Sequence, residues 1–237
     1  MNTCKQLKAV ARENLMGKYR ITMGAFLIIM VLTMIIELPF SRLINGAATP
    51  TSNYILYYAA EFLIAILAGV LQIGLFHMHL SIARNKEFKV SDVFFCFRNH
   101  TDRYIIGYFI MFIISTIGMA PAMYVYFFCD ATVENVPLII VLLLLSMVLS
   151  IGISLVFALV FYVMLDNENV SVIHCFKIAV SLMKGNIGRL FRIYLSFIGM
   201  WILVILSFGI GYLWFEPYRI QTYTLFYLDI THEKEMG

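Results

Sequence analysis

The sequence predicts an all-α, polytopic transmembrane helical bundle. Three observations carry that reading: the composition, the length of the apolar runs, and the placement of positive charge. Of 237 residues, 62% are hydrophobic and 13% charged, with a mean hydropathy of +0.88. A soluble domain is about half apolar and about a quarter charged, so a soluble fold of this size would leave apolar surface in water. Bilayer lipid has to cover it.

A helix crossing the hydrocarbon core needs about 20 mostly apolar residues. Such runs lie at 21–43, 54–83, 104–128 and 136–165. The last run, 188–230, is too long for one crossing and contains "SFGIGYLWFEPY". Gly209, Gly211 and Pro217 predict a hairpin turn there, while Tyr212, Trp214 and Tyr218 suit a membrane interface. The run divides into 188–208 and 212–230, giving six spans as three hairpins. The whole chain, 1–237, reads as one integral membrane domain of three units: 1–53 with 54–83 completing its hairpin, then 84–165, then 166–237.

Charge tests the division independently. Lys5, Lys8, Arg12, Lys18 and Arg20 precede the first span. Arg84, Lys86, Lys89, Arg98 and Arg103 fill the 84–103 loop, and Lys177, Lys184, Arg189 and Arg192 lie in 166–192. Between these, 41–53 has Arg42 alone, and 129–135 has only the acids Asp130 and Glu134. Positive charge stays inside, so the basic segments are expected in the cytoplasm together with the N-terminus; six spans return the C-terminus there. Residues 1–20 read as the lead-in to a retained signal anchor rather than a cleaved signal peptide.

Each basic segment is expected to hold an interfacial amphipathic helix. Cys4, Leu7, Ala11 and Leu15 share one face of the first. Val90, Val93, Phe94 and Phe97 follow helical spacing in the second, with Ser91 as a cap, and Ile173, Phe176, Val180 and Met183 do so in the third. His174, Lys177, Ser181 and Lys184 are expected on the opposite side of that third helix, and Gly185 at its end. "SLMKGNIGRLF" at 181–191 echoes "NLMGKYRITMGAF" at 14–26, which places the same joint between helix and span in two units. Either one unit was duplicated, or every span entering from the cytoplasm attracts a basic lead-in.

The order "LKAVARENLMGKYRITMGAFLI", "FKVSDVFFCF" and "LSFIGMWILVILSFGIGYLWFEPYRIQTYTLFYLDI" resembles the bacterial integral-membrane family catalogued as domain of unknown function 975. That resemblance implies a bacterial plasma-membrane location. It carries no activity and no catalytic residues.

Ionisable residues within the apolar runs are costly unless paired, hydrated or protonated, and so become candidates. Glu61 lies inside the second run, and Glu37 and Glu216 each shortly precede a proline. Arg42 and Arg219 are the basic residues that could meet them. Two readings stay open: an outward-facing site for a cation, proton or zwitterion, or a structural ion pair joining the last hairpin to the first. "HMH" at 77–79 puts its imidazoles about 200° apart on a helix, so they cannot chelate one ion and read as interfacial polar residues. Ser146, Ser150, Ser154 and Ala158, like Ala65 and Gly69, offer small faces for close helix packing.

Four scattered cysteines form no ligand pattern, and no cofactor or metal site is signalled. No nucleophile elbow, HExxH or phosphate loop appears, and the loops are too short for a catalytic domain, so an enzyme is not expected. A net charge of +3 gives no reason to expect nucleic acid. The expected partners are the bilayer, anionic headgroups at its cytoplasmic face, and a membrane protein or a second copy of the chain. The expected function is a noncatalytic scaffold or lipid-organising component, the alternative a small transporter around Glu61, Glu37 and Glu216.

Overall fold

The computed structural model describes residues 2–44, 50–130, 132 and 134–231. Among them the chain is helical, with no strand. In order, the helices are α1 Cys4–Leu15, α2 Tyr19–Ser41, α3 Thr51–Ala83, α4 Phe95–Arg98, α5 Thr101–Phe128, α6 Val136–Val156, α7 Val160–Asp166, α8 Val172–Met183, α9 Ile187–Leu195, α10 Ile198–Leu206 and α11 Tyr212–Ile230. Short 3-10 turns occupy Arg42–Ile44 and Val90–Phe94. Five stretches are long and apolar enough to cross a membrane: Tyr19–Ile44, Thr51–Ala83, Thr101–Phe128, Val136–Asp166 and Ile187–Leu206. The protein is therefore a multi-pass helical membrane protein. The expected final span, 212–230, is a helix of the expected extent, but it is polar and covered.

Two compact units form, Met1–Ile105 with Arg192–Gly237, and Ile106–Phe191. Neither boundary coincides with the hairpin units read from the sequence.

In the first unit, α11 packs against α1, α2, α3 and α10. From Phe215 to Ile230 it is buried except at Arg219 and Tyr223. Ile220 joins Ala25, Phe26 and Ile29 of α2, Leu71, Leu75, Met78 and Ile82 of α3, and Val93 in one apolar cluster. The division along α3 is sharp. Between Gly69 and Ile82 nearly every residue is buried, whereas Ile55, Leu56, Tyr58 and Leu63 nearer its start are exposed. α2 mirrors this, burying Thr22, Ala25, Phe26 and Ile29 and exposing Met34, Ile35 and Leu38. One end of the α2–α3 pair is thus packed in protein and the other presents bare apolar side chains suited to lipid.

α1 differs from expectation in what covers it. Its buried face is Leu7, Ala11 and Leu15, as the spacing implies, but α11 lies against it rather than lipid. Thr3 starts the helix with a reciprocal cap, its Oγ1 accepting from Gln6 N–H at 3.4 Å while Gln6 Oε1 accepts from Thr3 N–H at 2.8 Å. The second lead-in is not a regular helix. Asp92, not Ser91, closes its start by accepting the Lys89 N–H at 2.8 Å, and the chain takes a 3-10 turn before α4. Gly74 on α3 explains the fit: a Cβ there would stand 2.0 Å from the Val93 carbonyl oxygen.

In the second unit, α8 packs on α7 and α6. The small-residue face of α6 meets Gly118 of α5: Ser146 Oγ donates to the Gly118 carbonyl at 3.1 Å, and a Cβ on Gly118 would meet Ser150 Oγ at 3.1 Å.

The echoed phrase has a defined geometry. After α1, Met16 has φ −57°, ψ 128°, Gly17 has φ +74°, and Lys18 N–H donates to Leu15 C=O at 2.9 Å. After α8, Lys184 has φ −59°, ψ 121°, Gly185 has φ +82°, and Asn186 N–H donates to Met183 C=O at 2.9 Å. Both are type II turns, in which the third residue must tolerate positive φ. After α4 the same place is taken by His100, also left-handed at φ +51°.

Gly74→Ala should lower the thermal midpoint of the detergent-solubilised protein well below that of Gly199→Ala, because Gly199 has open space where its Cβ would stand. Equal midpoints would mean that residues 90–94 do not sit on α3.

Candidate functional site

The polar residues inside the first unit gather around α11. Arg219 grips Glu216 with two parallel hydrogen bonds, Nε to Oε2 at 2.9 Å and Nη2 to Oε1 at 2.5 Å. The pair lies one turn apart on a single helix, with the carboxylate almost wholly buried. The guanidinium also stands 5.3 Å from the Tyr223 ring centre. Tyr212 stands within electrostatic reach of Glu216. His79 of α3 lies within electrostatic reach of the same carboxylate and meets Gln221 through Nδ1 and Oε1 at 2.7 Å. Both side chains are fully buried, and His79 Nε2 and the Gln221 amide nitrogen make no hydrogen bond. His79 is thus a core residue, not an interfacial one. His77 stacks on Phe95 at 3.8 Å between ring centres.

α1 clasps this core from the side. Lys8 Nζ donates to the Ser196 carbonyl at 3.0 Å and to Ser196 Oγ at 3.2 Å, and stands 4.2 Å from the Phe197 ring centre. Ser196 is available because the helix breaks between α9 and α10. Burial lowers the Lys8 pKa from its ordinary value. Tyr218 donates to the Lys8 carbonyl at 3.3 Å, and Asn2 donates twice to Asp229 Oδ1, at 3.0 and 2.9 Å. Nothing in the spacing of Lys8 signals these contacts, which join residues about two hundred positions apart; the polar content of 216–229 was the available clue.

The five charged residues expected to converge do not form one site. Glu37 and Arg42 are exposed. Glu61 is half-buried, with Tyr57 within electrostatic reach of it and of Glu37, and its Oε1 is buried without a hydrogen bond. Eighteen residues of α3 separate Glu61 from His79, about 27 Å of rise. Glu216 and Arg219, beside His79, therefore stand apart from Glu61, and Arg219 already has its carboxylate. The turn also differs in part. Gly209 is left-handed at φ +87° and Gly211 caps α11, but Pro217 lies inside α11.

The second unit carries a groove of about 460 Å³. Ile110, Ile114, Phe157 and Phe176 supply apolar wall, while Lys177, Ser181 and Lys184 of α8 lie along the same opening. Ile173 and Val180 line it too, so the expected opposition of apolar and basic faces on α8 does not hold. The face α8 buries is Cys175, Phe176, Ala179 and Met183. Among the described residues, no group of three His, Cys, Asp or Glu side chains could hold a metal ion.

Arg219→Gln should cost about 3 kcal/mol of stability, because it strands a buried carboxylate. The double variant Glu216→Gln/Arg219→Gln should recover part of that loss in denaturation monitored by circular dichroism. A double variant that loses the sum of the two single losses would show that the pair is not coupled.

Searches for similar curated proteins and for similar solved structures found no match. The family model described as "Protein of unknown function (DUF975)" matches residues 1–234, nearly the full length. The chain is a member of the DUF975 family.

Proposed function

We propose that this protein is a noncatalytic component of the bacterial plasma membrane that organises anionic lipid at the cytoplasmic face and scaffolds other membrane proteins there. In this reading the basic segments lie inside with both chain ends. α2, α3, α5 and the α6–α7 stretch cross the bilayer, and the last helices return the chain to the side it left.

The observation that carries the reading is the groove beside α8. Its apolar wall suits an acyl chain. Lys177 and Lys184 stand two turns apart, about 10 Å along the helix, with the Ser181 hydroxyl between them. That arrangement offers two cations and a donor to a phosphate whose chains lie in the groove. The purified protein should retain phosphatidylglycerol in preference to phosphatidylcholine, counted by native mass spectrometry. Lys177→Gln/Lys184→Gln should reduce that retention roughly thirtyfold, since each lysine near an anionic surface contributes about 1 kcal/mol. Equal retention of the two lipids by the wild type would end the reading.

One observation favours a second reading, a small transporter. Glu61 keeps a buried carboxylate oxygen without a partner, next to Tyr57 and within a helix that crosses the membrane. Proteoliposomes should then show a proton or cation flux that Glu61→Gln abolishes while the protein stays folded. A silent wild type would dispose of this alternative.

A further inference from the structure

The turn between α10 and α11 is built for lipid. It contains Ser207, Phe208, Gly209, Ile210 and Gly211, with no charge. Phe208 is 97% exposed, and Ile205, Leu206 and Ile210 are exposed beside it. The loop between α5 and α6, by contrast, carries Asp130 and Glu134. An apolar surface is not enough to place a turn in hydrocarbon, because unpaired backbone groups are costly there. This turn leaves no N–H unpaired. Phe208 donates to Ile205 C=O at 3.0 Å, Gly209 to Val204 C=O at 2.9 Å, and Ile210 to Ser207 C=O at 3.1 Å. Gly211 donates to Ser207 Oγ at 2.8 Å and Tyr212 to Gly209 C=O at 3.0 Å.

Two contacts give the height of this hairpin on the α2–α3 pair. Tyr212 packs edge-on against Phe26 of α2, with ring centres 5.3 Å apart. Fifteen residues of α2, about 22 Å, continue from Phe26 to Ser41. The turn extends about 6 Å above Tyr212, so it ends about 16 Å short of the outer end of α2. α3 agrees. Gln221 meets His79, which places Tyr212, nine residues earlier on a helix that runs in the same direction as α3, near the level of Val70. The stretch from Thr51 to Val70 rises about 30 Å, the full thickness of a hydrocarbon core. Below Val70, α3 is encased, in part by Val93 from a basic loop assigned to the cytoplasm.

From these heights we infer that the C-terminal hairpin does not cross the membrane: its tip, Leu206–Ile210, is a wedge seated among the acyl chains of the cytoplasmic leaflet, while most of α11 stays in protein below them. The partner of this surface is one leaflet's hydrocarbon. The expectation of six crossings becomes four crossings and a re-entrant hairpin, with both chain ends still on one side. The inference rests on the cytoplasmic orientation proposed above.

Cysteine accessibility in intact cells tests both and keeps them apart. Cys129, between α5 and α6, reports the orientation: in the otherwise unchanged chain it should react with a membrane-impermeant maleimide added outside. Cys96 is a silent background site, since burial pushes its thiol pKa up to about 12. In Cys129→Ser/Phe208→Cys, no label should enter from outside or, in opened cells, from the cytoplasmic side beyond the Cys129→Ser control. Detergent should then raise labelling several-fold. Label at residue 208 from either aqueous side overturns the wedge, whereas an unreactive Cys129 overturns the orientation and with it the assigned leaflet. The unmodified protein supplies a second measurement, because its two tryptophans, Trp201 and Trp214, both lie in the hairpin. Their emission should be quenched by bromines on lipid acyl chains and left unchanged by iodide outside. Quenching by outside iodide would overturn the wedge.

Discussion

The structure depends on covering α11. Glu216, Arg219, Gln221, Thr222, Thr224 and Asp229 fall within one nineteen-residue helix, and lipid cannot accept them. Pairing Glu216 with Arg219 on the same helix removes the net charge locally, but the polar atoms still need protein around them. α1, α2, α3 and α10 supply it. The form of α3 follows. It has 33 residues, about 50 Å, where a crossing needs about 30 Å, and the excess is the buried end that meets α11. A polar helix within the first unit therefore sets how much of α2 and α3 is covered by protein.

The same constraint explains the tight contacts. Gly74 lets the backbone of residues 90–94 reach α3 closely enough to seal the core at Val93. Glycine is needed there for space, not for its backbone freedom. At Gly17 and Gly185 the reason is the reverse: no atom lies near a hypothetical Cβ, and positive φ is what the turn demands. His100 shows that the joint does not require glycine in principle. It requires a left-handed residue, and the wording can vary where the geometry does not.

Helix boundaries were legible in the sequence because they depend on local signals, and most expected spans match within a few residues. The end of α8 was legible for the same reason, as glycine after an apolar face marks a stop. Heights were not legible. Glu216 reads as near an outer boundary when α11 is assumed to cross, yet its place beside His79 depends on how far α3 overshoots the bilayer. The sidedness of α8 failed differently. Lys177 is four residues after Ile173 and three before Val180, so helical spacing groups it with them as readily as apart. Pro217 reads as a breaker, but it sits in the second turn of α11, where the one hydrogen bond it removes is tolerated.

The first unit also has an order of assembly imposed by its connectivity. Asn2 and Lys8 take their partners from residues 196–229, so their contacts close only after the intervening second unit, Ile106–Phe191, has been made. Until then Leu7, Ala11 and Leu15 have no α11 to cover them. A short helix with one apolar face and three cations rests well at the headgroup boundary. The interfacial helix expected from the sequence relies on the same apolar stripe that α11 covers in the folded protein. In the folded protein α1 is capped and clasped, and protein covers those three side chains. One amphipathic pattern serves both surroundings because each asks only for a continuous apolar stripe. What makes the protein surroundings specific is Lys8, whose ammonium lies over Phe197 and against the Ser196 carbonyl, a fit that a lipid surface does not provide.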